Sequence, residues 1–288
     1  MKQEDILLSI RQRYRNINRF SEILLEGFDD EIVQGFRQEV ERLKAVFGLI
    51  GDKECARVPD KLLALYQKMG VISDLQLLRR RLTGYAKQKK VRIPEPCLAV
   101  VDGLLSTASR LVSMDFDLHP PDLREPGSWP ALHRADLSSL AKTFVSERMK
   151  AISVGAPAGD ITDGELRDRE EAMKELSYVW LFLDRKAVGL IRPVALADRQ
   201  AMMEHLSLLI SYRDTVSGME LLQDPNFLFA TGQGAKPFLQ AVLQEWLLEK
   251  QKLRTAISGS LVVGEERPGV RRRRARPVIR SITDCNVL

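Results

Sequence analysis

Cysteine and histidine are scarce in this chain of 288 residues, and their scarcity excludes several classes of protein. The three cysteines, Cys55, Cys97 and Cys285, are odd in number and scattered, so they imply no disulfide framework. The three histidines lack metal-ligand spacing with cysteine or acidic residues, which argues against a zinc site. No Ser-His-Asp or Cys-His arrangement can be argued from spacing either. We therefore expect a protein that is not an enzyme and carries no metal or cofactor.

Alternating β-branched runs are also absent, and aromatic residues make up only 6% of the chain. Leucine-rich, glycine-poor segments with helical periodicity dominate instead, so the sequence predicts an all-α protein. Thr162 and Glu165 have the spacing of a capping box at the start of one helix. The predicted helices span residues 3–26, 30–50, 59–69, 73–90, 96–113, 133–154, 162–187, 196–223 and 236–256.

An uninterrupted apolar run is missing as well. The N-terminus begins with the charged stretch MKQED, and Asp102 interrupts the longest segment rich in leucine and valine. We therefore expect a cytoplasmic protein with no membrane span. Residues 230–238 faintly resemble a phosphate-binding loop, but Pro237 follows Lys236 where that loop needs serine or threonine. We expect a loop there, with Pro237 in the first turn of a helix.

Two breaks divide the helical sequence. Four prolines within residues 120–130 predict a linker, because proline removes an amide donor and disfavours helix in the preceding residue. Residues 257–288 lose the helical period, which predicts a basic and largely disordered tail. The predicted organisation is a helical unit over residues 1–256, made of a first repeat 1–113, a linker 114–131 and a second repeat 132–256.

Charge is distributed unevenly along the chain. Residues 1–93 hold 19 basic and 13 acidic side chains, residues 94–256 hold 18 and 23, and residues 257–288 hold seven and three. A polyanion should therefore be steered to the first repeat and the tail by the long-range field. The opposite signs leave a second interpretation open, in which the two repeats dock on each other or on another copy of the chain.

The segment 31–50 combines an apolar stripe with a charged one. Arg37, Glu41 and Lys44 share a helix face beside the apolar stripe, so their head groups should lie at the edge of the core. Such an edge either lines a groove or is an ordinary solvated flank. The apolar residues share one face at about 100° per residue and are Phe36, Val40, Leu43 and Phe47.

The same segment resembles the signature helix of CHAD proteins, the conserved-histidine α-helical domain family. In that family a histidine is followed by an arginine three residues on, a pair of arginines four residues later, and then Leu-Arg. Arg37, Arg42 and Lys44 match this pattern by identity or charge. Gln34 stands at the histidine position, and Glu41 stands at the position of one arginine. The next helices resemble the family over residues 61–82, with Ser73-Asp74 in place of Arg-Asp.

Residues 168–186 also resemble the signature helix of the family. Lys174 and Tyr178 match the family's Lys-x-Leu-Arg-Tyr ending, Arg167 falls at the histidine position, and Arg213 begins an intact Arg-Asp pair. The resemblance implies two helical bundles in tandem, related by an internal repeat and an approximate two-fold axis. It also implies that the helices bearing Arg37 and Lys174 face a shared cleft.

The resemblance implies a basic pore that holds inorganic polyphosphate or another phosphate-rich polymer without catalysing a reaction. Guanidinium groups suit this role because they bind phosphate oxygens through two charge-assisted hydrogen bonds. Of the three consecutive arginines that begin at Arg79, Arg81 borders the apolar stripe of its helix, so we expect it to point inward beside Arg37. The candidate polyanion-binding residues are Arg37, Arg42, Lys44, Arg79, Arg81, Lys174 and Arg213.

Two other functions stay open. The first is a protein-interaction scaffold that kept the fold and lost the ligand; departures from the family pattern at Gln34, Glu41, Ser73, Glu170 and Ser177 favour it. The second is nonspecific contact with nucleic acid through the tail, where four consecutive arginines stand at Arg271, Arg272, Arg273 and Arg274. The last four residues formally match a prenylation box, but the family that the chain resembles is mostly bacterial, so we expect no lipid anchor.

We predict that deleting residues 258–288 barely changes the melting temperature, because the tail offers little apolar surface to a core. The deletion should flatten the salt dependence of any polyanion binding, since fewer counterions are released. Titrations at several salt concentrations measure this slope for both proteins. If the deletion abolishes all binding, the tail alone accounts for the affinity and the helical unit contributes none.

Overall fold

The computed structural model describes residues 3–51, 57–118, 136–153, 161–183 and 199–261. Over these residues the fold is all-α, with nine helices and no strand, as the sequence predicts. Two short 3-10 turns, Trp180–Phe182 and Gln233–Ala235, complete the secondary structure of this part of the chain. The helices are α1 (Gln3–Leu24), α2 (Asp30–Ile50), α3 (Asp60–Lys89), α4 (Glu95–Leu118), α5 (Leu137–Ser153), α6 (Asp163–Val179), α7 (Arg199–Gln223), α8 (Pro225–Thr231) and α9 (Lys236–Leu261).

The prediction of two helices over residues 59–69 and 73–90 is wrong, because α3 runs through Gly70 without a break. Leu65, Met69, Ile72 and Leu75 are all buried, so the apolar spacing of three and four residues continues across the glycine. A single glycine costs a helix interior only about 1 kcal/mol relative to alanine, which this burial exceeds.

Three helix ends also differ from the prediction. Helix α4 continues to Leu118, inside the predicted linker; the remainder of that linker, from residue 119, lies outside the described residues. Helix α6 ends at Val179, and Leu183 is already extended. Helix α9 continues to Leu261, because Ile257 is buried in the core instead of beginning the tail. A truncation that preserves α9 therefore ends after Leu261, and residues 262–288 lie outside the described part.

Helix α8 lies between residues 223 and 236, where the sequence predicted no helix. Asp224 caps it by accepting hydrogen bonds from the amides of Asn226 and Phe227, and Pro225 occupies the first turn, where no amide donor is needed. Pro237 lies in the first turn of α9, as predicted. The capping box of Thr162 and Glu165 is also present at the start of α6.

Three hydrophobic clusters form the core, and α2 contributes to two of them. The first cluster packs α1, α2 and the N-terminal half of α3, and it contains Phe36 and Leu43. The second packs α5, α6 and α7, and it receives Ala45 and Leu49 from α2. The third joins the C-terminal half of α3 and α4 to α7, α8 and α9. Helix α2 thus contacts α1, α3, α5 and α6 at once.

Helix α4 is apolar and mostly exposed. Within the described residues, its segment Glu95–Asp115 is long and apolar enough to cross a membrane by length and composition, with a mean hydropathy of 1.4 and 17% of it buried. One such helix is weak evidence for a span, and the expectation of no membrane span stays a prediction.

A carboxylate at the interface of α1 and α2 holds three polar side chains. Glu39 accepts hydrogen bonds from Arg13 Nη1 at 2.7 Å, Arg42 Nη1 at 2.6 Å and Asn16 Nδ2 at 3.1 Å. Its side chain is only 6% exposed, so these donors replace the water that burial removes.

We predict that Glu39→Ala lowers the free energy of unfolding by about 3 kcal/mol, because it removes the shared acceptor and leaves two guanidinium groups without their partner. Urea denaturation measures this change. Glu171→Ala is the control: that carboxylate is 63% exposed, and its ion pair should contribute less than about 1 kcal/mol. Equal losses in the two variants would contradict the assignment of Glu39 as a structural anchor.

Candidate functional site

A cleft opens where α2, α3, α6 and α7 meet. It encloses a cavity of about 270 Å³. The side chains that line it are Arg37, Glu41, Lys44, Tyr66, Arg167, Glu170, Glu171, Lys174, Glu175, Tyr178 and Arg213. The helices that bear Arg37 and Lys174 therefore face one cleft, as the resemblance implies, whereas the two-fold relation between them stays a prediction.

Helical spacing explains why these side chains converge. On α2, Arg37, Glu41 and Lys44 are separated by four and three residues, so they form one edge between the two buried faces of the helix. On α6, the lining residues from Arg167 to Tyr178 also recur at spacings of three and four. The two charged edges are brought face to face because α2 packs on α6 through Ala45 and Leu49.

Glu41 lies between the two sides of the cleft. It accepts a hydrogen bond from the Tyr66 hydroxyl on α3 at 2.8 Å and another from the Tyr178 hydroxyl on α6 at 3.0 Å. Burial alone would raise the pKa of Glu41, but Lys174, the two hydroxyls and Arg37 together bring that pKa below its ordinary value. Glu41 is therefore a carboxylate near neutral pH.

The pKa values of Tyr66 and Tyr178 shift in the opposite direction from that of Glu41, upward. Burial, followed by the charge of Glu41, raises the pKa of Tyr66 to about 12. Burial and Glu41 also raise the pKa of Tyr178 above its ordinary value. Both hydroxyls therefore keep their protons and act as hydrogen-bond donors in the cleft.

Two other carboxylates of the cleft, Glu170 and Glu171, form ion pairs with its cations. Glu170, whose side chain is only 5% exposed, lies 2.6 Å from Lys174 Nζ and 2.7 Å from Arg213 Nη1. Lys44 Nζ lies 3.4 Å from Glu171 Oε1 at the rim. Five cations and four carboxylates therefore line the cavity, and the cleft is close to charge-neutral.

Two cations are also held by an aromatic ring. The Arg37 guanidinium lies 5.3 Å and Lys44 Nζ lies 5.6 Å from the centroid of the Tyr66 ring, distances typical of cation–π contacts.

Behind the cleft, burial raises the pKa of Asp74, and the positive charges of Arg37 and Arg213 oppose that rise.

A second cavity of about 620 Å³ adjoins the cleft between α2 and α5. Lys44 and Glu175 line both cavities. Phe47 and Phe144 provide apolar walls, and the Arg148 guanidinium lies 4.5 Å from the centroid of the Phe144 ring. The two cavities are therefore adjacent, with Lys44 and Glu175 on their shared edge.

Four of the seven predicted binding residues lie in the cleft, namely Arg37, Lys44, Lys174 and Arg213. Arg42 lies beside it: its guanidinium donates to Glu39 and stacks 5.8 Å from the centroid of the Tyr178 ring.

Arg79 and Arg81 do not line the cleft. Arg79 pairs with Asp102 of α4 at 2.7 Å on the outer side of α3. Arg81 does point inward, but into the junction of α3 with α7 and α9. There it stacks on Trp246 at 4.5 Å and donates to Glu249 at 2.7 Å. The expected convergence of Arg81 with Arg37 is therefore wrong, because Arg81 lies about four helical turns farther along α3 than Tyr66, which lines the cleft.

Arg167, Tyr66 and Tyr178 line the cleft although none of them was among the predicted binding residues. For Arg167 and Tyr178 a signal was present, since both lie on the charged face of α6. Tyr66 belongs to a different helix, and only the packing of α3 on α2 brings its hydroxyl to Glu41.

The described residues contain no group of three or more His, Cys, Asp or Glu side chains that could hold a metal ion. His205 is buried; burial and the charge of Arg169 lower its pKa to about 4. The other two histidines, His119 and His133, lie outside the described part of the chain.

No protein-family model and no curated protein matches the sequence. Solved structures of similar fold include the following two. The CHAD domain from the plant Ricinus communis has a TM-score of 0.60 and 17% sequence identity, over 91% of both chains. PptA from Streptomyces chartreusis has a TM-score of 0.62 and 15% identity, over 90% of this chain and 98% of its own. The chain has a CHAD-like all-α fold, as the sequence resemblance implies, whereas the internal repeat stays a prediction.

We predict that Tyr178→Phe lowers the free energy of unfolding by about 1.5 kcal/mol at pH 7, because Glu41 loses a charged hydrogen bond. The pKa of Glu41 is lower in the folded protein than its ordinary value of 4.5, so the interactions of this carboxylate stabilise the protein above about pH 4.5. That stabilisation is lost as the pH falls through the folded-state pKa of Glu41. The difference between wild type and variant should therefore shrink below pH 4.5.

Denaturation at a series of pH values measures this difference. Tyr85→Phe, which removes a hydroxyl from a ring packed on Phe238, is the control. A loss in Tyr178→Phe that is independent of pH would show that the hydroxyl does not act through Glu41.

Proposed function

We propose that this chain is a non-enzymatic binding protein that holds a phosphate-rich polyanion in the cleft between α2, α3, α6 and α7. Inorganic polyphosphate is the ligand that the CHAD resemblance implies. The observation that carries the proposal is the convergence of five cationic side chains from three helices on one open cavity. The cations are Arg37, Lys44, Arg167, Lys174 and Arg213.

The accessible cations suit phosphate oxygens. Arg167 is 52% exposed at one rim, and Lys44 lies at the other, beside the second cavity. Both form ion pairs with exposed carboxylates, Glu220 and Glu171, and such surface pairs contribute at most about 1 kcal/mol. A phosphate group can therefore displace these carboxylates at small cost. The two adjacent cavities on either side of Lys44 favour an extended polymer over a single phosphate ion.

The proposal extends to the repeat, the cellular location and the tail. The first part is that residues 1–113 and 132–256 are the two copies of an internal repeat, and the cleft between them is the remnant of a pore. The second is that the protein acts in the cytoplasm. The third is that Arg271, Arg272, Arg273 and Arg274, which lie outside the described residues, add nonspecific affinity for polyphosphate or nucleic acid.

A second candidate function is a protein-interaction scaffold. Its support is the near neutrality of the cleft, where Glu41 and the buried Glu170 neutralise cations that a polyanion would otherwise bind. In this case the fold persists because the apolar clusters hold it, and ion pairs take the place of the ligand.

We predict that replacing Arg37, Lys44 and Arg167 together by glutamine weakens polyphosphate binding on the order of 100-fold or more, since each charge-assisted hydrogen bond contributes about 1.5 kcal/mol. Isothermal titration calorimetry at fixed ionic strength measures the affinity. The matched control replaces Arg79, Arg80 and Lys87, three exposed cations of α3 outside the cleft, and so changes the net charge equally.

Equal weakening by the two triple variants would mean that only overall charge matters, and the cleft assignment would fail. If the wild-type protein binds neither polyphosphate nor a nucleic acid of matched charge, the scaffold function is favoured instead. Circular dichroism verifies that helicity is unchanged in each variant.

A further inference from the structure

Glu41 occupies the place in the cleft that an anionic ligand would need. Its two carboxylate oxygens accept hydrogen bonds from the hydroxyls of Tyr66 and Tyr178, one on each side of the cleft. It also lies in the field of Lys174 and Arg37, which favour its charged form. Two hydroxyl donors and two nearby cations are the groups that a phosphate oxygen would seek.

Neither tyrosine hydroxyl can donate a hydrogen bond to Glu41 and to a phosphate group at the same time. Each hydroxyl has one proton, and once that proton is donated to Glu41, only oxygen lone pairs remain for a second acceptor. A phosphate oxygen near Tyr66 or Tyr178 would then face lone pairs as well as the carboxylate charge. Like charges at this distance repel strongly where burial reduces solvent screening.

The other three carboxylates of the cleft differ from Glu41. Glu170 is already neutralised by direct ion pairs with Lys174 and Arg213. Glu171 is 63% exposed, so water screens its charge. Glu175 pairs with Arg148 on the side of the second cavity. Glu41 alone among the four is held by two hydroxyls contributed by different helices.

We propose that Glu41 is the specificity-determining residue of the cleft, a built-in competitor that occupies the deep anion position and restricts polyanions to the cations at the rim. This inference rests on the proposed function. It predicts that the wild-type chain binds polyphosphate weakly, through groups such as Lys44 and Arg167, and that the deep position becomes available once the Glu41 charge is removed.

The test compares Glu41→Gln with Glu171→Gln. Each substitution removes one negative charge from the cleft, so a purely long-range effect would be the same for both. We expect Glu41→Gln to tighten polyphosphate binding by about tenfold or more and Glu171→Gln by less than about threefold, because only the first frees donors in a partly buried position. Calorimetry with polyphosphate of one chain length, at constant salt, measures both changes.

A second arm separates competition from a structural role. In Glu41→Gln combined with Tyr178→Phe, most of the gain should disappear, since the freed hydroxyl is one of the donors that phosphate acquires. A double-mutant cycle gives this coupling directly. If Glu41→Gln does not fold, as judged by its thermal transition, Glu41→Ala removes the carboxylate entirely and carries the same expectation.

The outcomes are distinguishable from those of the proposed function. Tighter binding by Glu41→Gln alone supports the inference, even if wild type shows no binding, in which case the native polyanion function fails. Wild-type binding that depends on Arg37, Lys44 and Arg167 but is unchanged by Glu41→Gln overturns the inference and leaves the function standing. Absence of binding in wild type and in every folded Glu41 variant overturns both.

Discussion

The packing of α2 between two hydrophobic clusters leaves this helix only narrow edges for its charged side chains. Phe36 and Leu43 face one cluster, and Ala45 and Leu49 face the other. The charged residues of α2 are therefore confined between the two cores. On one edge Glu39 holds the donors of α1, and on another Glu41 meets α3 and α6. The position of α2 thus determines both the internal ion-pair network and the location of the cleft.

The fold of this chain does not depend on the cations of the cleft. The apolar clusters supply the driving force for folding and do not require cations in the cleft. Charged groups that face one another there must still be paired, because an unpaired charge in a partly buried site is costly. Glu41 and Glu170 fulfil that requirement from within the chain. In our proposal a polyanion has to compete with these two carboxylates, so its affinity is a balance between an external and an internal anion.

The same balance explains why the two functions that we consider share one structure. A polyanion-binding protein and a scaffold with this fold would have the same helices and clusters, and they would differ only in whether the cleft cations are available. The exposed pairs at Lys44 and Arg167 can open at low cost, whereas the pairs that Lys174 and Arg213 make with the buried Glu170 open at a greater cost. The deep and shallow parts of the cleft therefore have different capacities for an anion.

Local sequence determined the helical class, most helix positions, the capping box at Thr162 and the sharing of one helix face by Arg37, Glu41 and Lys44. These features depend on residues within one or two helical turns, which periodicity detects directly. Family resemblance added the CHAD fold and the opposition of α2 to α6.

The tertiary structure alone decided which helix faces meet. It placed the inward-pointing Arg81 against Trp246 instead of beside Arg37, and it brought Tyr66 to Glu41 from another helix. The continuity of α3 through Gly70 was also decided by burial on both sides of the glycine. Helical periodicity specifies that a side chain lies at the edge of a core, but the neighbour across that edge depends on packing between segments distant in the chain.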